Sequence, residues 1–365
     1  MSAIQPPAKT QILVLPAYHG DSFIVKTTDE GGNPFNMLID GGTAKTYDDT
    51  LKRELRKLDL INVVVLTHID SDHIAGLIKF IKDPFFKPAQ IGKYWFNSKN
   101  IKFLRNSEKI SLGQAKTFEE LLIDKGEIKD KWVEDIYVGQ TPVLPPGITI
   151  EILSPTVDVL TELYEKWPDL SDEYNKKLAD LNIAAQIAPS QLSKGSLVDL
   201  AAKDDKPEKT VSEDLFNSSS IAFVLRMHDL KVLFLGDAHP AIIKQALLDK
   251  GYSVKKQLKV DLVKISHHGS KNNTIKDVLD MIDCERFIIS TNGGSSTHAH
   301  PDRETIARIV YHPERVRKNF VDHRKIYMNY PKATVEVKAG KFVEDKDFAS
   351  GNWELVERNN TFEYE

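Results

Sequence analysis

Cysteine is almost missing from this chain: Cys284 stands alone among 365 residues. A single thiol excludes an intramolecular disulfide framework and a zinc site built from several thiolates. It lies in DCERFIIS, just ahead of an apolar run, and reads as a buried packing residue. No apolar run approaches the ~20 residues needed to span a bilayer, so no membrane association is expected. The opening MSAIQPPAKTQ lacks the apolar stretch of a secretory signal, and a cytoplasmic location is the expectation. Excess positive charge is also lacking, since 49 Lys and Arg stand against 53 Asp and Glu for a net charge of -4. That balance excludes a surface coated for non-specific DNA binding but leaves room for a local basic groove.

What is present is a globular composition, with 41% hydrophobic and 28% charged residues, long enough for one large core or two modest ones. QILVLPAY, SFIVKTT and NMLIDGG read as short strands joined by tight turns. Leu51, Leu55 and Leu58 recur at helical spacing within 43–60. INVVVLT (61–67) is apolar on both faces, as a buried parallel strand is. IAGLIKFIKD returns to helical period, IGKYWFN reads as a strand, and LGQAKTFEELLIDKG as a helix ending at Gly126. ITIEIL closes the first half. From 156 to about 215 the pattern changes to helix-like stretches and a polar tract, SKGSLVDLAAKDDKPEKTVSED, taken as an insertion ending in a mobile loop. Strands and helices then alternate again through SSIAFVLRM, LKVLFLGD, AIIKQALLDKG, VDLVKIS, NTIKDVLDMID and RFIIST. TIARIVYH, MNY, ATVEVKAG and KFVED are expected as strands at a sheet edge. Two packed sheets with helices outside, an α/β four-layer αββα sandwich with a helical and loop insertion, follow from this plan. A single domain over 1–345, interrupted by the 156–215 insertion and followed by a 346–365 extension, is the expected organisation.

Polar residues of metal-ligating type gather where strands end. His68, Asp70, Asp72 and His73 fall within six residues directly after INVVVLT. Packing does not explain four such residues in one loop, whereas a loop leaving a strand end can fold them around cations. Imidazole suits zinc, and carboxylates suit manganese or magnesium. Gly236-Asp237 ends LKVLFLGD; alone it is an ordinary turn, but a carboxylate there is placed to bridge two cations. His267-His268-Gly269-Ser270 ends VDLVKIS, and adjacent histidines point in different directions, one to a metal and one to a substrate. Ser290 to Gly294, followed by His298 and His300, forms a further polar loop after RFIIST.

In combination these motifs resemble the metallo-β-lactamase superfamily, and within it the ComEC-type competence hydrolase domain and its free-standing relatives. The resemblance rests on Gly20-Asp21-Ser22, Ile39-Asp40-Gly41-Gly42, His68 to His73, Gly236-Asp237, His267 to Ser270 and His300-Pro301, in that order over about 10–310 without the insertion. It implies two divalent ions (manganese or zinc, with magnesium the further option). One would be held by His68 and Asp70, the other by Asp72, His73 and either His267 or His268, with Asp237 bridging. It also implies a metal-activated water as nucleophile, with Asp72, Asp237, His268 and His300 as the catalytic group. Asn217, Ser270, Asn292 and His298 are the expected substrate contacts. Two departures stand out. Asp70 replaces the middle His of the common H-x-H-x-D-H loop, and Asn217 stands about where a further His is usual, since no histidine lies between His73 and His228. One metal site is therefore oxygen-rich, which favours manganese or magnesium there.

A phosphodiesterase or nuclease is the expected activity. It draws on that oxygen-rich site and on two basic stretches. Arg303 to Lys325 contains Arg308, Arg315, Arg317, Lys318 and Arg324; Lys87 to Arg105 contains Tyr94, Trp95, Phe96 and Phe103. Aromatics beside cations could stack and steer a nucleic-acid strand, although charge runs are usually only solvated faces. The alternatives are hydrolysis of another ester or lactone, and a non-catalytic metal-binding component with protein partners in a multi-protein assembly such as a defence system. His19 reads as a residue supporting the ligands, and His239 as a surface residue.

Overall fold

The apolar runs assemble into two seven-stranded sheets in a computed structural model that describes residues 9–98, 118–126, 131–133, 136–179, 195–294 and 299–363. The first half supplies β1 (Gln11–Val14), β2 (Phe23–Thr28), β3 (Pro34–Ile39), β4 (Ile61–Val65), β5 (Ile91–Trp95) and β6 (Trp132–Val133). The second supplies β7 (Thr149–Ser154), β8 (Ala222–Arg226), β9 (Lys231–Phe234), β11 (Leu262–Lys264), β13 (Arg286–Ile289) and β14 (Arg324–Met328). A small parallel pair, β10 (Leu258–Lys259) with β12 (Ile282–Asp283), lies apart from both. The chain ends in β15 (Trp353–Glu357) and β16 (Thr361–Glu363). The sheets run β16-β1-β2-β3-β4-β5-β6 and β15-β14-β13-β11-β9-β8-β7. Antiparallel hairpins occupy one side of each, and parallel strands continue from β3 to β6 and from β9 to β15.

Strand alternation sorts the side chains into layers. Val63 and Val65 of β4 meet Phe223, Phe234 and Ile288 in the core between the sheets. Val64 and Leu66 face the other way, against Ile74, Leu77 and Phe80 of the helix Ser71–Lys82. On the far side, Val263, Phe287 and Ile289 pack against Ile243, Leu247 and Ile306 from outer helices. The result is the αββα sandwich. None of the helices, among the described residues, is long and apolar enough to cross a membrane.

Five expectations change. KFVED forms no strand and leads into the short turn Asp345–Ala349. TIARIVYH is a helix, Arg303–Tyr311, because Ile306, Ile309 and Val310 bury at helical spacing although every residue of the segment is covered. ATVEVKAG is a helix, Lys332–Ala339: Val335 and Ala339 bury one turn apart while Val337 is exposed, and Gly340 ends it at φ 75°. Part of the polar tract taken as a loop forms the helix Leu197–Ala202, with Leu197, Leu200 and Ala201 in the outer core beside Ile306. The expected extension is woven into both sheets, since β15 pairs with β14 and β16 with β1. Part of the insertion, 180–194, lies outside the described residues. Its helix Val157–Ala179 places Val159, Leu160 and Leu163 against Ile69 and Phe216, and so buttresses the loop that follows β4.

Candidate metal centre

The loops after β3, β4, β9, β11 and β13 bring Asp40, His68 to His73, Asp237, His267, His268 and Ser290 together. The helix Ser71–Lys82 starts from Asp70 as its N-cap residue and carries His73 in its first turn. That helix lies against the turn after β3: Gly41 N donates to His73 O and Gly76 N to Gly42 O, at 2.8 and 3.0 Å. A side chain at Gly76 would overlap the Gly41 carbonyl, so glycine lets the helix approach closely enough to set His73.

Every imidazole in the cluster is turned the same way. His73 Nδ1 donates to Asp40 Oδ2 at 2.8 Å, and Asp40 is itself fixed by Thr67 N and Thr67 Oγ1, each at 2.7 Å. His268 Nδ1 donates to the Ser290 carbonyl at 3.0 Å. His68 Nδ1 lies 3.1 Å from Thr67 Oγ1 and 3.3 Å from Ser220 Oγ. His267 Nδ1 lies 3.0 Å from Asn273 Oδ1, whose Nδ2 donates to the Asp237 carbonyl. With Nδ1 engaged, Nε2 is left to face inward, and all four Nε2 atoms face one oxygen. Asp237 Oδ2 lies 3.5 Å from His73, 3.7 Å from His68, 3.7 Å from His268 and 3.9 Å from His267. Asp72 Oδ2 adds a second carboxylate 3.3 Å from His268 Nε2.

The electrostatics match this crowding. Burial disfavours the charge on His68 and, helped by the neighbouring His73, lowers its pKa. Burial acts on His268 too, but Asp21 and Asp237 outweigh it and hold its pKa up at about 10. Asp237, which is buried, and Asp72, which reaches the cavity, stay well below the usual carboxylate range: desolvation opposes their charge, but His73 and the other imidazoles outweigh it. The Nε2 atoms of His68, His73 and His268 are buried and make no hydrogen bond. Buried nitrogens fixed from behind and left without a partner in front are what a divalent cation requires of its ligands. Asp21, His73, Asp237 and His268 each offer a ligand atom within 4.8 Å of the others. The residues therefore fit a metal.

A cavity of about 170 Å³ opens onto the cluster, lined by His19, Asp70, Asp72, His267, Thr291 and His300 among others. Asp70, Asp72, Asp237, His267, His268 and His300 line one cavity, with His68 and His73 behind them. His300 stands 3.3 Å from Asp302 and its ring centroid 5.3 Å from that of His267. The expected substrate contacts fare differently. Asn217 is buried against the Asp214 carboxylate, at 3.0 and 3.2 Å. Ser270 is buried and accepts from Asn272 N. Asn292 is buried beside the cavity, its N–H donating to Tyr18 O. None of these three lines the cavity among its described residues. His298 lies outside the described residues. His239 is no surface residue: it caps the helix Pro240–Asp249, with Nδ1 accepting from Ala241 N. Sequence reading passed over Asp21, Lys264 and Asn273 as site residues. The Gly-Asp-Ser at 20–22 was a signal for the first, and the charge within an apolar strand a signal for the second.

The basic stretches also change meaning. Arg303, Arg308, Arg315 and Arg324 are buried, and each has internal acceptors, including Asp347 for Arg303 and Asp322 for Arg315 and Arg324. Tyr94, Trp95 and Phe96 are core residues, while 99–105 lie outside the described residues. Arg317, Lys318 and Lys325 keep exposed side chains, the first two beside Glu314 and the third beside Glu354, and Lys87 and Lys93 are exposed as well.

Two sheets between helices, with imidazoles and carboxylates gathered at the strand ends, define an αββα metal-binding protein. The chain belongs to the metallo-beta-lactamase superfamily, whose family model matches residues 17–293. Members of that superfamily are in general metal-dependent hydrolases. Zn(2+)-bound PqqB from Methylobacterium extorquens is similar at 10% identity and TM-score 0.42, over 96% of this chain and 99% of that one. A diphosphatase from the PhnP family is similar at 11% identity and TM-score 0.41, over 98% of each chain. A long-form RNase Z from yeast is similar at 14% identity and TM-score 0.37, over 100% of this chain and 43% of that one. No curated protein sequence compared with the chain matches it significantly.

Proposed function

We propose that the chain is a metal-dependent phosphodiesterase working through two divalent ions. The observation that carries the reading is the convergence of four Nε2 atoms on Asp237 Oδ2, three of them buried with no hydrogen bond. His68, Asp70 and Asp237 would hold one ion, and Asp72, His73, His268 and Asp237 the other. Bound there, divalent ions supply Lewis acidity and an activated water, and a pair of them suits in-line displacement at phosphorus. Several carboxylates in the ligand set favour manganese or magnesium over zinc for at least one position.

The chain's own residues do the rest. Asp40 and the Ser290 carbonyl hold His73 and His268 in the tautomer that presents Nε2. His267 and His300 stand at the cavity wall, where a proton can be passed to a leaving oxygen, and Asp302 orients His300. Burial lowers the pKa of His300, so near neutrality its ring is poised as a neutral donor or acceptor. Four arginines of the Arg303 to Lys325 stretch are spent on internal acceptors, and a cavity of about 170 Å³ suits a small or terminal diester.

The test is turnover by metal-stripped protein resupplied with manganese, magnesium or zinc. Its substrates are bis-p-nitrophenyl phosphate, single-stranded DNA, duplex DNA, RNA and a lactone. Manganese-dependent cleavage of the small diester is expected, falling at least about a hundredfold in Asp237→Asn while the far-UV circular dichroism stays unchanged. Turnover of the lactone alone, or activity that survives Asp237→Asn, overturns the reading.

A further inference from the structure

One charge in the cluster has no place in a ligand set. Lys264 ends β11 with its side chain 1% exposed, although Lys is almost never buried without a partner. Its ammonium pairs with Asp21 Oδ2, donates to the Gly236 carbonyl at 3.0 Å and lies 3.7 Å from Asp237 Oδ1. Asp237 is thereby divided: Oδ1 faces the ammonium, and Oδ2 faces the imidazoles. Asp21 is divided as well, with Oδ2 on Lys264 and Oδ1 3.5 Å from His268 Nδ1.

We propose that Lys264 is a built-in countercation of the metal cradle, a positioning residue that engages Asp21 and Asp237 Oδ1 so that Asp237 turns a single oxygen to the metal. Two consequences follow from charge alone. Before metal binds, the ammonium offsets part of the repulsion among Asp21, Asp72 and Asp237, so the cradle is assembled in the metal-free fold. Once metal binds, the same ammonium repels the incoming dication, and affinity is lower than the carboxylates alone would give. Lys264 therefore exchanges tightness of binding for a preformed site.

The inference rests on the metal reading, and a double-mutant cycle separates the two. Lys264→Met, Asp21→Asn and the double variant are compared with the parent by thermal melting without metal and by manganese titration calorimetry. In Lys264→Met the metal-free melting temperature should fall by about 5 °C or more, because carboxylates are left buried without their partner. Adding Asp21→Asn should restore most of that loss. Manganese affinity should rise at least about tenfold in Lys264→Met and return towards the parent value in the double variant. If Lys264→Met melts with the parent, or Asp21→Asn fails to restore it, the inference is overturned; so it is if manganese affinity is unchanged or weaker. If Lys264→Met does not fold at all, the double variant decides: a folded double variant upholds the pairing, and an unfolded one overturns it. Should the parent bind no manganese, the function proposed above fails, while the melting cycle still judges Lys264 as the countercation of Asp21.

Discussion

His267 and His268 are chain neighbours that the backbone sends in different directions. Both adopt left-handed conformations, φ 48° and 54°, which residues other than glycine seldom hold. Such strain is stored where function over-determines it. The turn leaves the His268 side chain 5% exposed, with Nε2 between Asp72 and Asp237. It leaves the His267 side chain 25% exposed at the cavity wall. We therefore expect the two alanine variants to separate. His268→Ala should lose manganese affinity by at least about tenfold, by calorimetry. His267→Ala should keep its metal and lose about 10²- to 10⁴-fold in kcat. Equal loss of metal in both would refute the division of roles. At this scale the sequence announced His68 to His73 and the histidine pair because they are contiguous. It did not announce how Asp40, Asn273 or Lys264 act, because each works on a partner that only the fold brings near. Asn217 and Ser270 engage Asp214 and Asn272 N away from the cavity, whereas Asn292 is buried beside it with Oδ1 unpaired.

Helices and strands show the same division between local and distant causes. β4 and β13 were readable because an apolar run of about five residues between polar turns has few other fates. Arg303–Tyr311 was misread although Ile306, Ile309 and Val310 lie opposite Glu304, Thr305 and Arg308 at helical spacing, because a short run rich in β-branched and aromatic residues also suits a strand. What holds this helix is also hidden in the sequence. Arg303 donates to both carboxylate oxygens of Asp347, at 2.6 and 2.8 Å, with both side chains nearly inaccessible. The pair ties the helix to the segment that leads into the edge strands β15 and β16. Asp347→Asn should cost about 3–5 kcal/mol by denaturant unfolding, because it leaves a buried guanidinium without its counterion. Burial opposes ionisation of Asp347, but Arg303 outweighs it and lowers its pKa below the ordinary 3.8. A depressed carboxylate stabilises the fold fully above its unfolded value and loses that contribution as pH falls through the folded one. The difference between parent and variant should therefore be constant from neutrality down to about pH 4 and shrink below it. A difference that grows with acidification would contradict the pairing.

Across the whole molecule, the candidate metal centre lies at the strand ends of a sandwich with extensive apolar cores of its own. The layer between the sheets is continuous from Ile12 and Val14 of β1 through Phe23, Val65, Phe223 and Phe234 to Ile288, all buried. Each outer face has its own helices and its own cluster. Such burial, at ~25 cal/mol per Å² of apolar surface, is ample to hold a fold without a cation. Small metal-dependent domains that unfold on chelation lack a core of this kind. A metal that binds only the folded state nonetheless adds stability by mass action, about 2.7 kcal/mol when free metal is a hundred times its dissociation constant. For a chain of this length, chelation should therefore lower the melting temperature by a few degrees and leave far-UV circular dichroism at 25 °C unchanged. Resupplied manganese should raise the melting temperature again, in steps that follow the logarithm of its concentration. That slope separates a site in the native state from loose surface binding, which would move the transition little. Collapse of the circular dichroism on chelation would instead make the cradle part of the folding core, and with it the preassembly attributed to Lys264 would be lost.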